Sequence, residues 1–381
     1  MERAAIIGIG MTKIEKCRVR DTFADMVWES VNAALADAGM TIDDIDNVVT
    51  TSSDFWDGRT ISCMAVGDAS GAVHKNVSCV EGDGTYGAFY GMARSLSGSY
   101  RTTLVTGHSK GSQCVSSLIT NSAFDPIYER GLGMDMVTAC AMQANAYMHR
   151  TGTTAEQLAR VSVKNHGNAL VNPVKQLPMK LTVNDVLDSE MVADPLHRLD
   201  CSPVSDGCCA IIIAHESAAA KFRRKPVWIR GVSLCADSFF FGDRDLSRAK
   251  SLTEAARKAY AMAGITDPKK EIDVAEVYDA FTYQELMWLE EMGLADDATA
   301  GRLLEKGEFD RDGRLPVNPS GGLLSGHPVV AAGLYGIAEV VRQLRGDAGG
   351  HQVKKAKTGL VHGVNGLCGQ SHCVWILDKD R

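Results

Sequence analysis

The stretch VNPSGGLLSGHPVVAAG, residues 317–333, places one histidine among glycines, prolines and small apolar residues. His327 is the one side chain in this stretch that changes its charge near neutral pH. Gly321, Gly322 and Gly326 would let the backbone approach a ligand closely and leave amide donors for an oxyanion. His327 is therefore a candidate general base, and a histidine that only caps the following helix is the structural alternative.

Two segments that flank this stretch repeat an earlier part of the chain. ALADAGMTIDDIDNVV (residues 34–49) resembles AYAMAGITDPKKEIDVAEV (259–277), where a helix ends at Gly39 or Gly264 and Ile-Asp leads into an apolar strand. AFYGMARSL (88–96) likewise resembles GLYGIAEVVRQL (333–344). Both pairs keep their order, at offsets of 225 and 245 residues. The repeat predicts a duplicated, layered α/β architecture.

Length and composition agree with two fused cores. The chain has 381 residues, and single cores stop growing at roughly 250–300. A hydrophobic fraction of 45%, a charged fraction of 23% and a net charge of −7 give no reason to expect a nucleic-acid groove. No apolar run approaches the roughly 20 residues of a membrane span, so we expect a cytoplasmic protein. The eleven cysteines show no C-x-x-C spacing, and no metal site is expected.

The segment NPSGGLLSGHP resembles the Asn-x-x-Gly-Gly…Gly-His-Pro signature of thiolases. YMHRTGTTAEQLARVSVKNHGNALVNP (147–173) and PLHRLDCSPVSDGCCAIIIA (195–214) are similar to loop-domain segments of the sterol-carrier-type branch. The resemblance implies an α/β thiolase fold, with two βαβαβαββ halves in a five-layer α-β-α-β-α sandwich, an inserted loop domain and a homodimeric core. We place the N-terminal half at residues 1–118, the loop domain with its return to that half at 119–225, and the C-terminal half at 226–381.

A thiolase needs a cysteine nucleophile, and the sequence leaves its position open. The offset of 245 residues takes His327 to Gly82, within NVSCVEGDGTYG (76–87). In one alignment Cys79 takes the place of the nucleophile and keeps the Cys-x-x-Gly form. A gapless count from Ser97-Gly98 places Glu81 at the nucleophile position instead, and a third alignment places only Gly84 there. Cys79 is the candidate nucleophile, with a buried strand cysteine as the alternative.

The resemblance also points to residues around the reacting carbon. Tyr278-Asp279-Ala280-Phe281 stands where thiolases have Asn-Glu-Ala-Phe, so the Tyr278 hydroxyl could hold an oxyanion or act as an acid. Three further residues, Asp279, Asn318 and Gly326, are expected beside the oxyanion or substrate. Cys368 lies near the family's acid/base cysteine, although Asn365 and Gly366 could occupy that motif instead. His362 either serves the same site or is a structural histidine at a strand end.

The resemblance implies an enzyme that breaks or forms carbon–carbon bonds in acyl-CoA thioesters. In a thiolase that cleaves a 3-oxoacyl-CoA, or runs the reverse Claisen condensation, Cys79 would take the acyl group. His327 would deprotonate that thiol, and Cys368 would shuttle the proton. A tyrosine at position 278 also resembles the thiolase-like retro-aldolases of steroid side-chain degradation, which lack the nucleophilic cysteine. Such an enzyme would act on a 3-hydroxyacyl-CoA, here with help from Glu81. A catalytically idle scaffold subunit is the third hypothesis.

Expected ligands and partners follow from the same resemblance. Coenzyme A is expected as a substrate rather than as a permanently bound cofactor, and the basic run KFRRKP (221–226) could meet its phosphates. A bulky or aromatic acyl group is compatible with the branch, as in the two-subunit benzoylsuccinyl-CoA thiolase. Related chains often work with a small zinc-ribbon and OB-fold partner subunit, which we expect here too.

Overall fold

The computed structural model describes residues 2–219 and 225–380. The strands are β1 Ala4–Met11, β2 Asn47–Thr51, β3 Asn76–Val80, β4 Thr102–Lys110, β5 Met191–Ala193, β6 Leu196–His197, β7 Asp206–His215, β8 Val227–Ala236, β9 Val274–Glu276, β10 Thr358–Asn365 and β11 Ser371–Asp378. The helices are α1 Phe23–Ala38, α2 Asp54–Asp57, α3 Gly84–Leu96, α4 Ser116–Ser122, α5 Met136–Thr151, α6 Ala155–Ala169, α7 Val183–Leu187, α8 Glu216–Ala219, α9 Lys250–Ala263, α10 Pro268–Glu271, α11 Thr282–Glu291, α12 Ala300–Glu305 and α13 Ala332–Arg345.

The main sheet has the order β3-β2-β4-β7-β1-β8-β11-β10-β9 and divides into two similar halves. In the first half β2 is parallel to β3 and β4, and β7 is antiparallel to β4 and β1. In the second half β9 is parallel to β10, and β11 is antiparallel to β10 and β8. The halves therefore share one strand pattern, and a short antiparallel pairing of β1 with β8 joins them.

The C-terminal half departs from the expected five strands. Among the described residues it has four strands in the main sheet, and no strand occupies the place of β3. Val317 alone marks that place, through an isolated parallel bridge to Ala275 of β9. The chain leaves the sheet early here because residues 318–331 form a long turn before α13, whereas residues 81–83 connect β3 directly to α3.

Three apolar cores lie between five layers of structure. One core packs α1 against the outer face of the first half of the sheet, and another packs α9 and α11 against the outer face of the second half. The third surrounds α13, with Ala88 and Met92 of α3, between the two halves. Alternate residues of β1 follow this division, since Ile7 faces α1 and Ile6 faces the central helices. The layer order agrees with the predicted five-layer sandwich.

The duplicated motif packs its helix against its strand in the same way in both halves. A β-carbon at Gly8 of β1 would lie 2.6 Å from the Ala34 carbonyl oxygen of α1. A β-carbon at Gly231 of β8 would lie 2.2 Å from the Ala259 carbonyl oxygen of α9. Both distances are too short for a side chain, so glycine is required for this close approach.

The two predicted helix stops are confirmed. Gly39 ends α1 with φ 69°, and Gly264 ends α9 with φ 73°. Both values lie in the left-handed region that glycine enters at no steric cost.

The segment between β4 and β7 carries α4 to α7 and the small hairpin of β5 and β6. β7 then returns to the sheet between β4 and β1. The predicted boundary between residues 118 and 119 falls inside α4. The inserted helices α5 and α6 pack on α11, which begins a few residues after Tyr278.

Candidate active site

His327 lies in the turn before α13 and is 7% exposed. Its Nε2 is 3.0 Å from Tyr278 Oη, and its Nδ1 is 2.9 Å from Ser202 Oγ. Its backbone N–H donates to Ser205 Oγ at 2.9 Å, so ring and main chain are both held. Burial, assisted by the positive charge of Lys175, lowers the pKa of His327 to about 3. The imidazole is therefore neutral at physiological pH and has a lone pair with which to accept a proton.

Tyr278 follows β9 and meets the imidazole edge-on, with ring centroids 5.5 Å apart and an interplanar angle of 86°. Burial raises the pKa of Tyr278 well above its usual 10, and the nearby carboxyl group of Asp83 adds to the shift. The phenol thus keeps its proton. In the tautomer in which it donates this proton to His327 Nε2, Nδ1 carries the ring proton and donates to Ser202 Oγ. Sequence reasoning had given Ser202 no role.

Asp279 shapes the glycine turn that leads to the histidine. Its carboxylate accepts from the Leu323 N–H at 2.6 Å and from Asn165 Nδ2 at 2.7 Å. A β-carbon at Gly322 would lie 2.1 Å from Asp279 Oδ2, so only glycine fits beside this carboxylate. Burial and the neighbouring Glu285 raise the pKa of Asp279 to about 7. The predicted substrate contact is, in this structure, a buried group that bonds to the turn.

Asn318 connects the glycine turn to the strand end that carries Tyr278. Its side chain accepts from the Val277 N–H at 2.7 Å and donates to Glu285 Oε2 at 2.8 Å, and it is fully buried. The Gly326 N–H donates to the Leu323 carbonyl at 2.9 Å, so this predicted oxyanion donor is already engaged. The Tyr278 hydroxyl, whose one proton lies toward His327, keeps an oxygen lone pair that can accept from a substrate hydroxyl.

Cys79 and Glu81 lie on the exposed side of the other half. Cys79 Sγ is 3.4 Å from Ser52 Oγ, and Glu81 Oε1 accepts from Ser53 Oγ at 3.0 Å. Both residues are exposed. Among the hydrogen bonds of the described residues, none joins either side chain to His327, whose ring partners are Tyr278 and Ser202.

Asp83, the residue before α3, is a buried group that sequence reasoning missed. One carboxylate oxygen accepts from the Thr85 N–H at 2.9 Å and from Thr85 Oγ1 at 2.5 Å. The other accepts from the Gly333 N–H at 2.8 Å, so Asp83 joins the N-termini of α3 and α13. Burial raises the pKa of Asp83 to about 6. Its signal in the sequence was an aspartate placed as the N-cap of a helical segment.

Cys368 and His362 occupy different surroundings. Cys368 is buried with φ 45°, and its Sγ is 3.4 Å from the thiol of Cys140 on α5. His362 lines a cavity of about 30 Å³ together with Tyr278 and Asp279. Tyr278 thus contacts His327 and lines this cavity with His362, whereas Cys368 lies beside a second buried thiol.

Comparisons with known proteins show to which family the chain belongs. A family model described as "Thiolase C-terminal domain-like" matches residues 235–379. The acetyl-CoA acetyltransferase of Methanothermobacter thermautotrophicus is 36% identical over 379 residues, which cover 97% of this chain and 98% of that protein. The chain belongs to the thiolase superfamily. Bovine sterol carrier protein 2, at 31% identity over 95% of this chain and 70% of that protein, places it in the sterol-carrier-type branch.

Two further relatives of this thiolase superfamily member carry informative names. Subunit BbsB of benzoylsuccinyl-CoA thiolase from Thauera aromatica is 32% identical over 62% of each chain. A solved structure described as Ltp2-ChsH2(DUF35) aldolase has a TM-score of 0.86 and 27% identity, covering 100% of this chain and 98% of that one. The predicted fold and family are confirmed, and the chemistry of the family is carbon–carbon bond chemistry on acyl-CoA thioesters.

Two features of this thiolase superfamily member concern its surroundings. No helix in the described ranges is long and apolar enough to cross a membrane. Residues 221–224 of the basic run KFRRKP lie outside the described residues, so its predicted role toward coenzyme A stays a prediction.

Proposed function

We propose that this protein cleaves a 3-hydroxyacyl-CoA by a retro-aldol reaction, without a covalent acyl-enzyme. The observation that supports this most is the 3.0 Å bond between Tyr278 Oη and His327 Nε2. In the covalent alternative, the base would need a thiol beside it. Cys79 is instead exposed on β3, beside Ser52. The aldolase that shares the fold over the whole chain supports the same choice.

The Tyr278–His327 pair suits the first proton transfer of this reaction. As the Tyr278 oxygen takes the proton of the substrate hydroxyl, the phenol proton passes to His327 Nε2. The bond between C2 and C3 then breaks, its electron pair forms the enolate of the shortened acyl-CoA, and C3 leaves as a carbonyl compound. A proton added to C2 completes the acyl-CoA product. The Ser202 oxygen can accept from Nδ1 in the tautomer that this transfer requires.

Whether turnover requires free coenzyme A as a second substrate tests the proposal directly. A retro-aldolase converts a 3-hydroxyacyl-CoA to acyl-CoA and a carbonyl compound with no free coenzyme A, whereas a thiolase needs coenzyme A and a 3-oxoacyl-CoA. We expect turnover of hydroxyacyl-CoA substrates, offered with aliphatic and aryl groups at C3, in assays free of coenzyme A. Turnover that requires both coenzyme A and the 3-oxo group would contradict the proposal.

Thiolytic cleavage of a 3-oxoacyl-CoA is the second candidate function. The names of the archaeal acetyltransferase and of the Thauera thiolase subunit favour it, and the latter also favours a bulky aromatic acyl group. Cys79 would then have to approach His327, with Cys368 as the acid/base partner. A stable acyl adduct on Cys79, detected by mass spectrometry of acid-quenched enzyme, would support this candidate.

We also propose an assembly of more than one chain. β3 is at the edge of the sheet and Cys79 is exposed there, which suits pairing with a second copy in a homodimer. The names of the Thauera subunit and of the two-component aldolase support an additional small partner, which we expect to carry a zinc ribbon and an OB fold. Sedimentation of the chain alone and co-purification with a co-expressed partner test these two interfaces separately.

A further inference from the structure

Glu285 of α11 lies at the centre of a buried polar network. Its Oε2 accepts from two asparagine amides, Asn165 Nδ2 at 2.7 Å and Asn318 Nδ2 at 2.8 Å. Its Oε1 lies 3.1 Å from the ammonium group of Lys164. All four side chains are buried, and Lys164 and Asn165 belong to helix α6 of the inserted segment. One carboxylate thus joins the inserted segment, α11 and the first residue of the glycine turn.

Each of the two amides makes a second contact, and these contacts hold the residues on either side of Tyr278. Asn318 Oδ1 accepts from the Val277 N–H at 2.7 Å. Asn165 Nδ2 uses its other hydrogen to donate to Asp279 Oδ2, also at 2.7 Å. The tyrosine is therefore fixed through both of its chain neighbours, and both of these bonds depend on amides that Glu285 orients.

The same bonds place the tyrosine relative to its histidine. The glycine turn, residues 318–331, carries His327, and the Leu323 N–H within this turn donates to Asp279 Oδ1 at 2.6 Å. The strand end that carries Tyr278 and the turn that carries His327 are thus joined beside the 3.0 Å bond between Tyr278 Oη and His327 Nε2. A displacement of about 1 Å between reacting groups can lower a rate about 100-fold.

We propose that Glu285 is a positioning residue of the cleavage reaction, which orients the amides of Asn165 and Asn318 so that Tyr278 stays within hydrogen-bond distance of His327. The inference rests on the proposed function, because the pair that Glu285 positions performs the first proton transfer of that reaction. Among the hydrogen bonds of the described residues, none joins Glu285 to either member of the pair, so it acts through its neighbours.

Charge in this network makes the arrangement sensitive to pH. Burial, and then the neighbouring Glu285, raise the pKa of Asp279 to about 7. The charged or titratable groups that act on Asp279 are Glu285 of α11, Lys164 of α6, Lys175 in the segment after α6, and the phenol of Tyr278. A carboxylate that takes up a proton loses the charge that strengthens its bonds to N–H donors. Asp279 therefore holds the Leu323 N–H best when it is ionised, and cleavage should rise with pH through about 7.

The pH profile of kcat tests this role, because a residue that only fills space would not move a titration. Hydroxyacyl-CoA cleavage by the wild type should fall below about pH 7, and Asp279→Asn, which removes the titrating group, should abolish this limb. Glu285→Gln removes a like charge and should move the limb about one pH unit lower. Asn165→Leu removes a hydrogen bond to the carboxylate and should move it about one unit higher. Both variants should lose about tenfold in kcat with KM nearly unchanged.

Glu290→Gln is the matched control, since Glu290 is a buried glutamate of the same helix whose carboxylate accepts from the Ala300 N–H instead. Its limb should stay at the wild-type pH.

Several outcomes would overturn the positioning role. They are a wild type that cleaves the substrate without a limb near pH 7, an unmoved limb in a variant that still unfolds cooperatively, and limbs that move in the same direction in both variants. Each variant has its own expected sign, so one folded variant is sufficient to decide. Wild-type enzyme that leaves every hydroxyacyl-CoA intact in the absence of coenzyme A would contradict the proposed function itself, and the positioning role with it.

Discussion

The two halves of the molecule differ in the segment that precedes their central helix, α13 in one half and α3 in the other. We call these two segments the corners of the fold. In the C-terminal half, residues 318–331 form a buried turn in which His327 is held by Tyr278, Ser202 and Ser205. In the N-terminal half, residues 81–83 form a short connection, and the candidate nucleophile Cys79 and the neighbouring Glu81 are exposed. The C-terminal half thus holds a preorganised base, and among the hydrogen bonds of the described residues none joins that base to a thiol of the other half.

The comparison shows that the two corners have different roles, one in orienting a proton acceptor and the other in joining helices. The buried corner is fixed by side-chain bonds to the ring, which orient a proton acceptor. The exposed corner contributes a structural carboxylate, Asp83, which bonds to the first turns of α3 and α13. Chemistry that depends on the first corner alone is non-covalent, so variants of the two corners should have very unequal effects.

The largest effect should come from His327→Asn. The asparagine amide takes the place of Nδ1 toward Ser202, while the proton acceptor at Nε2 is lost. We expect kcat/KM to fall about 1,000-fold, within the usual range for loss of a general base. His215→Asn, at the end of β7, is the control and should leave activity unchanged. Full activity of His327→Asn in an assembly reconstituted with the partner subunit would favour the hypothesis of an idle scaffold subunit.

Tyr278→Phe should have the next largest effect. The ring keeps its edge-on packing against His327, but the hydroxyl that donates to Nε2 is lost. We expect kcat to fall about 100-fold with KM nearly unchanged, because the hydroxyl acts in the proton transfer. Tyr90→Phe, at an exposed tyrosine of α3, is the matched control. A rise in KM with unchanged kcat would show that Tyr278 only binds substrate.

The buried histidine should also give stability a measurable pH dependence. His327 has a folded pKa of about 3 against an unfolded value of 6.5, so its contribution is present above pH 6.5 and is lost as the pH falls toward 3. Below pH 6.5, the unfolding free energy of the wild type should fall more steeply than that of His327→Asn, and the extra slope should approach about 1.4 kcal/mol per pH unit near pH 5. Urea titrations at each pH measure the difference, and parallel slopes would contradict it.

The smallest effect should come from Cys79→Ala at the exposed corner. The thiol contacts Ser52, and it has no bond to the base in the structure. We expect kcat/KM with a hydroxyacyl-CoA to stay within about threefold of the wild type, since non-covalent cleavage needs no thiolate. A loss of more than 100-fold, with unchanged Tm, would make Cys79 a nucleophile and would restore the symmetry of the two corners.

Sequence reasoning was most successful where the signal is local. Helix stops at Gly39 and Gly264 follow from backbone conformation, and the repeat in order and spacing predicted two similar halves. It was least successful at the nucleophile, where three registers differed by a few residues. The reason lies in the turns, since residues 81–83 and 318–331 differ in length and no constant offset maps one corner on the other.

By itself, the sequence determined the layered α/β fold, the thiolase superfamily and His327 as the candidate base. Each of these depends on residues that are close together in the chain, namely periodic patterns, helix caps and the Gly-His-Pro motif. Only the tertiary structure decided which groups surround that histidine. Tyr278 and Ser202 lie 49 and 125 residues from it along the chain. Their contacts arise because the central layer brings the ends of several elements together, whereas Cys79 stays on an edge strand that the same packing leaves exposed.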